Sequence, residues 1–178
     1  SINEAEGYWA TAAHCATHAM DKDVTIMGQA AHIVFIGFPS ADIAVFQSLA
    51  TAPALKLATK AVPQCIPSQM ECEPIHIIGY PYGIARTTTR GWMGSRNIAI
   101  THPSTGYYMT CDILDVTVAG GNSGSPVLNS KGEVIGILWG GFSESPHSIS
   151  VPLAAVRIGL GRFNAPCRLS VLPLARGV

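Results

Sequence analysis

Charge is scarce in this chain: only 12% of its 178 residues are charged, and Lys+Arg and Asp+Glu both number 11. A formal net charge of zero removes the bulk electrostatic case for a nucleic-acid partner or an anionic membrane. Long apolar runs are lacking as well. None approaches the ~20 residues that a membrane-spanning helix needs, and the opening residues show no basic-then-apolar export pattern. Cys-x-x-Cys pairs and zinc-like His/Cys sets are absent, so no zinc site is expected. There is no internal repeat and no low-complexity tract. The cysteines, Cys15, Cys65, Cys72, Cys111 and Cys167, number five, which makes complete internal pairing impossible. Cys65 and Cys72 stand near enough in sequence to close a small loop in an oxidising compartment.

What remains is apolar and punctuated. A hydrophobic content of 48%, with 18 glycines and 12 prolines, supports a substantial core and excludes disorder. Period-two alternation with β-branched residues predicts strands at 24–27, 31–38, 42–47, 54–58, 75–80, 85–100, 107–114, 126–129, 133–140 and 147–151. Residues 153–160 have helix-like composition. The fold class is therefore all-β with a C-terminal helix. Prolines and polar residues over 60–74 read as a connector between an N-terminal unit, 1–59, and a C-terminal unit, 75–178.

Three local sequences carry chemistry. Gly121-Asn122-Ser123-Gly124-Ser125-Pro126 sets a serine among glycines, the way a hydroxyl is displayed for attack; Thr11-Ala12-Ala13-His14-Cys15 offers a base, and Ala41-Asp42-Ile43-Ala44 a carboxylate. A hydroxyl is a poor nucleophile until an imidazole takes its proton, and a buried carboxylate fixes that imidazole's tautomer. Ser123 is thus the candidate nucleophile, His14 the base and Asp42 the orienting acid, with the backbone N–H groups of Gly121 and Ser123 as candidate oxyanion donors. Taken singly, Asp42 reads equally as a strand-leading cap and His14 as a half-buried histidine. The other histidines, His18, His32, His76, His102 and His147, lack a partner pattern and read as surface or strand-edge residues. The order His, Asp, Ser differs from the Ser, Asp, His order of α/β-hydrolases.

The motifs and their order resemble the chymotrypsin-like serine endopeptidases. The resemblance implies two six-stranded antiparallel Greek-key barrels with a cleft between them, a polypeptide substrate and no cofactor. Only 13 residues precede His14, fewer than relatives use for the opening strands, so the first barrel is expected to be incomplete. Either an upstream stretch is missing, or an upstream or separate segment completes it. In many relatives the cysteine after the histidine bonds one further upstream; here a reduced Cys15 is the expectation. Asn122 stands where zymogen-derived members carry an aspartate, and an amide forms no ion pair with a freed N-terminus.

Within the family, Gly-Asn-Ser-Gly-Ser-Pro-Val is similar to the bacterial glutamyl endopeptidases, and the short interval from His14 to Asp42 also fits compact viral members. Those bacterial enzymes continue Gly-Ile-His-Trp-Gly-Gly, where this chain has Gly136-Ile137-Leu138-Trp139-Gly140-Gly141. With leucine in place of the carboxylate-binding histidine, the expected pocket of Thr117, Val118, Leu138, Trp139 and Gly140 suits an uncharged substrate side chain. Leu138 as ordinary core is the competing reading. A secreted or polyprotein-derived setting fits the resemblance without fixing a compartment. A catalytically idle peptidase-like binding module is the alternative from a different class.

Overall fold

Residues 75–79 alternate Ile75, Ile77 and Gly79 inward with His76 and Ile78 between, and this period of two is what a strand with one face on a core requires. The computed structural model describes residues 7–17, 23–37, 41–66, 72–102, 106–142, 145–161, 167–169 and 175–176. The end of the expected strand 31–38, the middle of the connector and the side chain of Cys167 lie outside the described residues.

The second half is a closed barrel. Strands β5 (Pro74–Gly79), β6 (Thr87–Thr101), β7 (Tyr108–Asp115), β8 (Pro126–Leu128), β9 (Val134–Gly141) and β10 (His147–Pro152) close in the order β10-β7-β6-β5-β8-β9, with β9 and β10 paired to complete the ring. Every pairing in it is antiparallel. Closure leaves no edge strand. Ile75, Ile77, Met93, Leu114, Val127 and Leu138 fill the interior. The long hairpin β6–β7 is bent by register shifts at Met93/Ser95 and Ser95/Ile98. There Asn97 adopts φ 53° and donates its backbone N–H to buried Asp112 at 2.9 Å.

The first half is a sheet rather than a ring. Its strands β1 (Gly7–Thr11), β2 (Val24–Ile26), β3 (Gln29–Ile36) and β4 (Ala44–Ser48) are joined by the distant β11 (Cys167–Leu169) and β12 (Ala175–Arg176) in the order β11-β1-β4-β3-β2-β12. The expectation of antiparallel barrels is corrected in one respect, since β11 lies parallel to β1. Among the described residues, β11 and β12 do not pair with each other. Trp9, Ile26, Ala44 and Phe46 form this half's own core.

A third core welds the halves together. Ala10, Ile43 and Val45 from the first sheet meet Leu128, Ile137 and Val151 of the barrel, and Val156 and Leu160 of the helix α2 (Leu153–Gly161) complete the cluster. Two local expectations change. Strand β1 was not foreseen, because Gly7-Tyr8-Trp9-Ala10-Thr11 alternates neither in polarity nor in burial. The expected strand 54–58 reduces to a single bridge from Leu57 to Val134, where the chain crosses between halves too briefly to build a ladder. A disulfide joins Cys65 to Cys72.

Candidate functional site

Strand β1 runs directly into the five-residue helix α1 (Ala13–Thr17), opened by the bond from the Cys15 N–H to the Ala12 carbonyl at 3.2 Å. This turn presents His14. Strand β4 lies antiparallel to β1 with Thr11 opposite Ala44, and that register brings the loop before β4 beside the helix. Asp42 there is 1% exposed. One carboxylate oxygen accepts the His14 backbone N–H at 2.8 Å, and the other sits 2.6 Å from ring Nδ1. A carboxylate can only accept, so Nδ1 carries the proton and the neutral ring's acceptor is Nε2. Burial pulls the His14 pKa down, but the bond to Asp42, aided by the neighbouring Cys15, outweighs it and the imidazole is pushed up to about 10.

Ser123 lies on the turn between β7 and β8. Gly124, at φ 85°, abuts Thr11 so closely that a Cβ would collide with the threonine hydroxyl, and it donates its N–H to the Leu138 carbonyl at 2.8 Å. The serine turn therefore packs against the strand leading to His14. Ser123 Oγ donates to the Trp139 carbonyl at 2.9 Å, so the hydroxyl is turned to β9 rather than to the imidazole. The Trp139 ring meets His14 edge-on, with centroids 6.4 Å apart.

Gly121 has φ 90°, and a Cβ there would come within 2.7 Å of the Tyr80 carbonyl and 2.8 Å of the Tyr82 nitrogen. No other residue fits without moving backbone. Among the described residues the N–H groups of Gly121 and Ser123 have no intramolecular acceptor. The loop is held from below, since Tyr82 donates its N–H to the Gly120 carbonyl at 2.6 Å. Gly79 is equally constrained: a Cβ would strike Ser125 Oγ and lie 2.5 Å from Asn122 Oδ1.

Of the expected pocket residues, Thr117 is exposed, Val118, Trp139 and Gly140 are half-buried, and Leu138 is wholly buried in the barrel core. Thr117 and Val118 face the β9–β10 end: the Thr117 hydroxyl reaches the Pro146 carbonyl at 3.4 Å, and Gly141 packs on the Val118 side chain. His102, expected at the surface or a strand edge, follows the end of β6, is 4% exposed and lies tilted against Trp139 with ring centroids 5.3 Å apart. Its isolated place in sequence carries no sign of this, whereas Thr11, which packs against Gly124, is the first residue of the histidine motif. Cys15 and Cys111 are free thiols, the first half-buried and the second buried; burial and nearby Asp112 push the Cys111 thiol up to about 11.

Comparison with known proteins matches this architecture. Over 58 residues the chain is 45% identical to a glutamyl endopeptidase of Staphylococcus aureus, a match spanning 30% of this chain and 18% of that protein. The chain thus corresponds to well under two thirds of that relative's length. Among solved structures, the active form of an M. tuberculosis protease superposes with a TM-score of 0.69 at 18% identity, covering 93% of this chain and 74% of the other. A serine endoprotease from Yersinia pestis gives 0.66 at 19% identity, covering 90% and 55%. At these identities the superpositions establish the fold. A family model described as the trypsin-like peptidase domain matches residues 2–137, which is most of the chain and reaches from the first half into β9 of the second, and on that ground the protein belongs to the trypsin-like peptidase family.

Proposed function

We propose that this chain is a serine endopeptidase acting through an acyl-enzyme. Ser123 Oγ forms a bond to the scissile carbonyl carbon while His14 takes the hydroxyl proton. The Gly121 and Ser123 N–H groups hold the oxyanion. His14 then returns the proton to the departing amine as the C–N bond breaks, and water attacks the acyl-enzyme by the reverse route. Asp42 holds His14 by two hydrogen bonds, one from its backbone N–H and one from ring Nδ1. That doubly bonded pair, packed through Thr11 and Gly124 against the serine turn, is the observation that carries the reading. The Thr117, Val118, Leu138, Trp139 and Gly140 region, with Leu138 buried beneath it, contributes no charged side chain of its own, so an uncharged residue is preferred before the cut. No metal or organic cofactor takes part. The first sheet is proposed to receive an upstream or separate segment that completes it.

A fluorophosphonate probe should label the protein once, at Ser123, and Ser123→Ala should abolish labelling; labelling that persists in the variant overturns the assignment. Peptides varied before the cut should favour uncharged residues over Glu, Asp, Lys and Arg by about tenfold or more in kcat/KM. The second reading, an idle binding module, draws on the Ser123 hydroxyl facing the Trp139 carbonyl. It is favoured if the probe leaves Ser123 unlabelled while peptides still bind.

A further inference from the structure

The first residues of β10 place a hydroxyl where an apolar residue would satisfy the core. Ser148 is 0% exposed, and among the described residues its Oγ has no hydrogen-bond partner. Native interiors contain few such groups, and each asks for an explanation. Two strand registers locate it. Ser148 stands directly opposite Leu114 of β7 and Gly141 of β9, and directly opposed residues on neighbouring strands share a face with Cβ positions about 5 Å apart. Gly141 has no side chain, and a Cβ built there would lie 3.1 Å from Val118 Cγ2. Val118, the bare Gly141 and the Ser148 hydroxyl therefore converge at one place, beside the region proposed to receive the substrate side chain.

We propose that Ser148 is the specificity-determining residue of this pocket and that its hydroxyl selects a carboxamide, so that the enzyme cuts after Gln in preference to apolar residues of the same size. The proposal rests on the uncharged-pocket reading above and narrows it. A serine hydroxyl both donates and accepts, matching an amide, which does the same. A carboxylate would need a cation. The nearest histidine on β10, His147, is exposed, with Nδ1 tied to Ser145 Oγ at 2.6 Å and Asp115 opposite it. An apolar side chain would leave the buried hydroxyl unpaired, and sites built to hydrogen-bond a substrate group discriminate against analogues lacking it. Glutamine has the longer reach of the two amides.

The test uses peptide pairs identical except for Gln or Met before the cut, since these side chains are nearly equal in size. In the wild-type chain kcat/KM for the Gln peptide should exceed that for the Met peptide by about tenfold. In Ser148→Ala the ratio should fall to near one, mainly through KM of the Gln peptide. Calorimetric titration of the Ser123→Ala chain with product peptides ending in Gln or Met gives the same comparison without turnover. Removing a hydroxyl that has no partner should not lower Tm. The proposal is overturned if wild type treats Gln and Met alike, if Ser148→Ala leaves their ratio intact, or if it lowers Tm by several degrees, which would mean the hydroxyl serves the fold. Preference for Glu or Arg over both peptides would instead sink the uncharged-pocket reading beneath it.

Discussion

The two sheets hold the proposed catalytic groups by different means. In the closed barrel every strand has two neighbours, and the loop bearing Gly121 and Ser123 is fastened to Tyr82, Leu138 and Thr11. In the first sheet, β1 and β2 have core neighbours on one side and, on the other, short strands from the far end of the chain: three residues pairing with β1 and two with β2. Since β1 leads straight into His14, the proposed base is positioned by a sheet whose outer pairing is short, while the proposed nucleophile sits on a ring without edges. Rigidity on one side of the cleft thus arises locally. On the other it depends on strands distant in sequence.

If the two halves act as one site, the largest effects come from breaking it on either side. Ser123→Ala and His14→Ala should each lower kcat by roughly 10⁴-fold or more, and the double variant should be little worse than either, because groups that act as a unit are not additive. Additive losses in steady-state kinetics would mean that the sheets contribute separately. A smaller effect is expected at Gly121. Alanine there must adopt φ near 90° and press on the Tyr80 carbonyl, displacing one oxyanion donor, so kcat should drop about 10²- to 10³-fold with KM changing far less.

The same contrast marks what was legible in the residues. The barrel was readable because Ile75 and Ile77, or Val134 to Leu138, carry local patterns that turns and glycines delimit. Strand β1 was not, since its burial comes from Tyr8 and Trp9 meeting β4, a partner chosen by tertiary packing rather than by its own alternation. The pairing of His14 with Asp42 was legible in the three motifs and their family resemblance, and two hydrogen bonds join the residues. What the chain did not advertise was Trp139 as acceptor of the Ser123 hydroxyl, or His102 tilted against its ring, because both depend on how β9 meets the end of β6 in space. The Cys65–Cys72 bond was among the open possibilities, and spacing alone left it undecided, because a bridge needs a geometry that sequence does not display.

Ending the chain at Gly161 removes β11 and β12 and sharpens the comparison. Hydrogen exchange should accelerate in β1 and β2 while β5 to β10 keep their protection. Misplacement of a catalytic group by about 1 Å costs roughly 100-fold, so kcat should fall by up to that factor with Ser123 still present. Equal loss of protection in both sheets would show that the outer strands support the whole molecule. By contrast, Ile77→Ala in the barrel should cost about 2–5 kcal/mol of stability, as deletion of a buried side chain does, and spread to both halves through the shared core.

The smallest effect separates the halves by pH. His14 must be neutral to accept the Ser123 proton, and its bond to Asp42, working against burial, raises its pKa to about 10 from 6.5. A group whose folded pKa lies above its unfolded value contributes stability fully below about 6.5, and that contribution is lost as pH rises through about 10. Activity runs the other way, climbing about tenfold per unit while the base is mostly protonated and levelling only on the alkaline side. Rate profiles of kcat/KM should therefore still be rising above pH 8, while Tm declines over the same interval. Asp42→Asn removes the charge that holds the proton, so the rising limb should shift toward the ordinary histidine range and the decline in Tm should flatten. The barrel offers the control, because Ser148 lies on β10 opposite Leu114 and Gly141 and is not among the groups that move the His14 pKa: Ser148→Ala should leave the position of the alkaline limb where it was. A limb centred near 6.5 in the wild-type chain would show that the Asp42 bond does not raise His14 in solution.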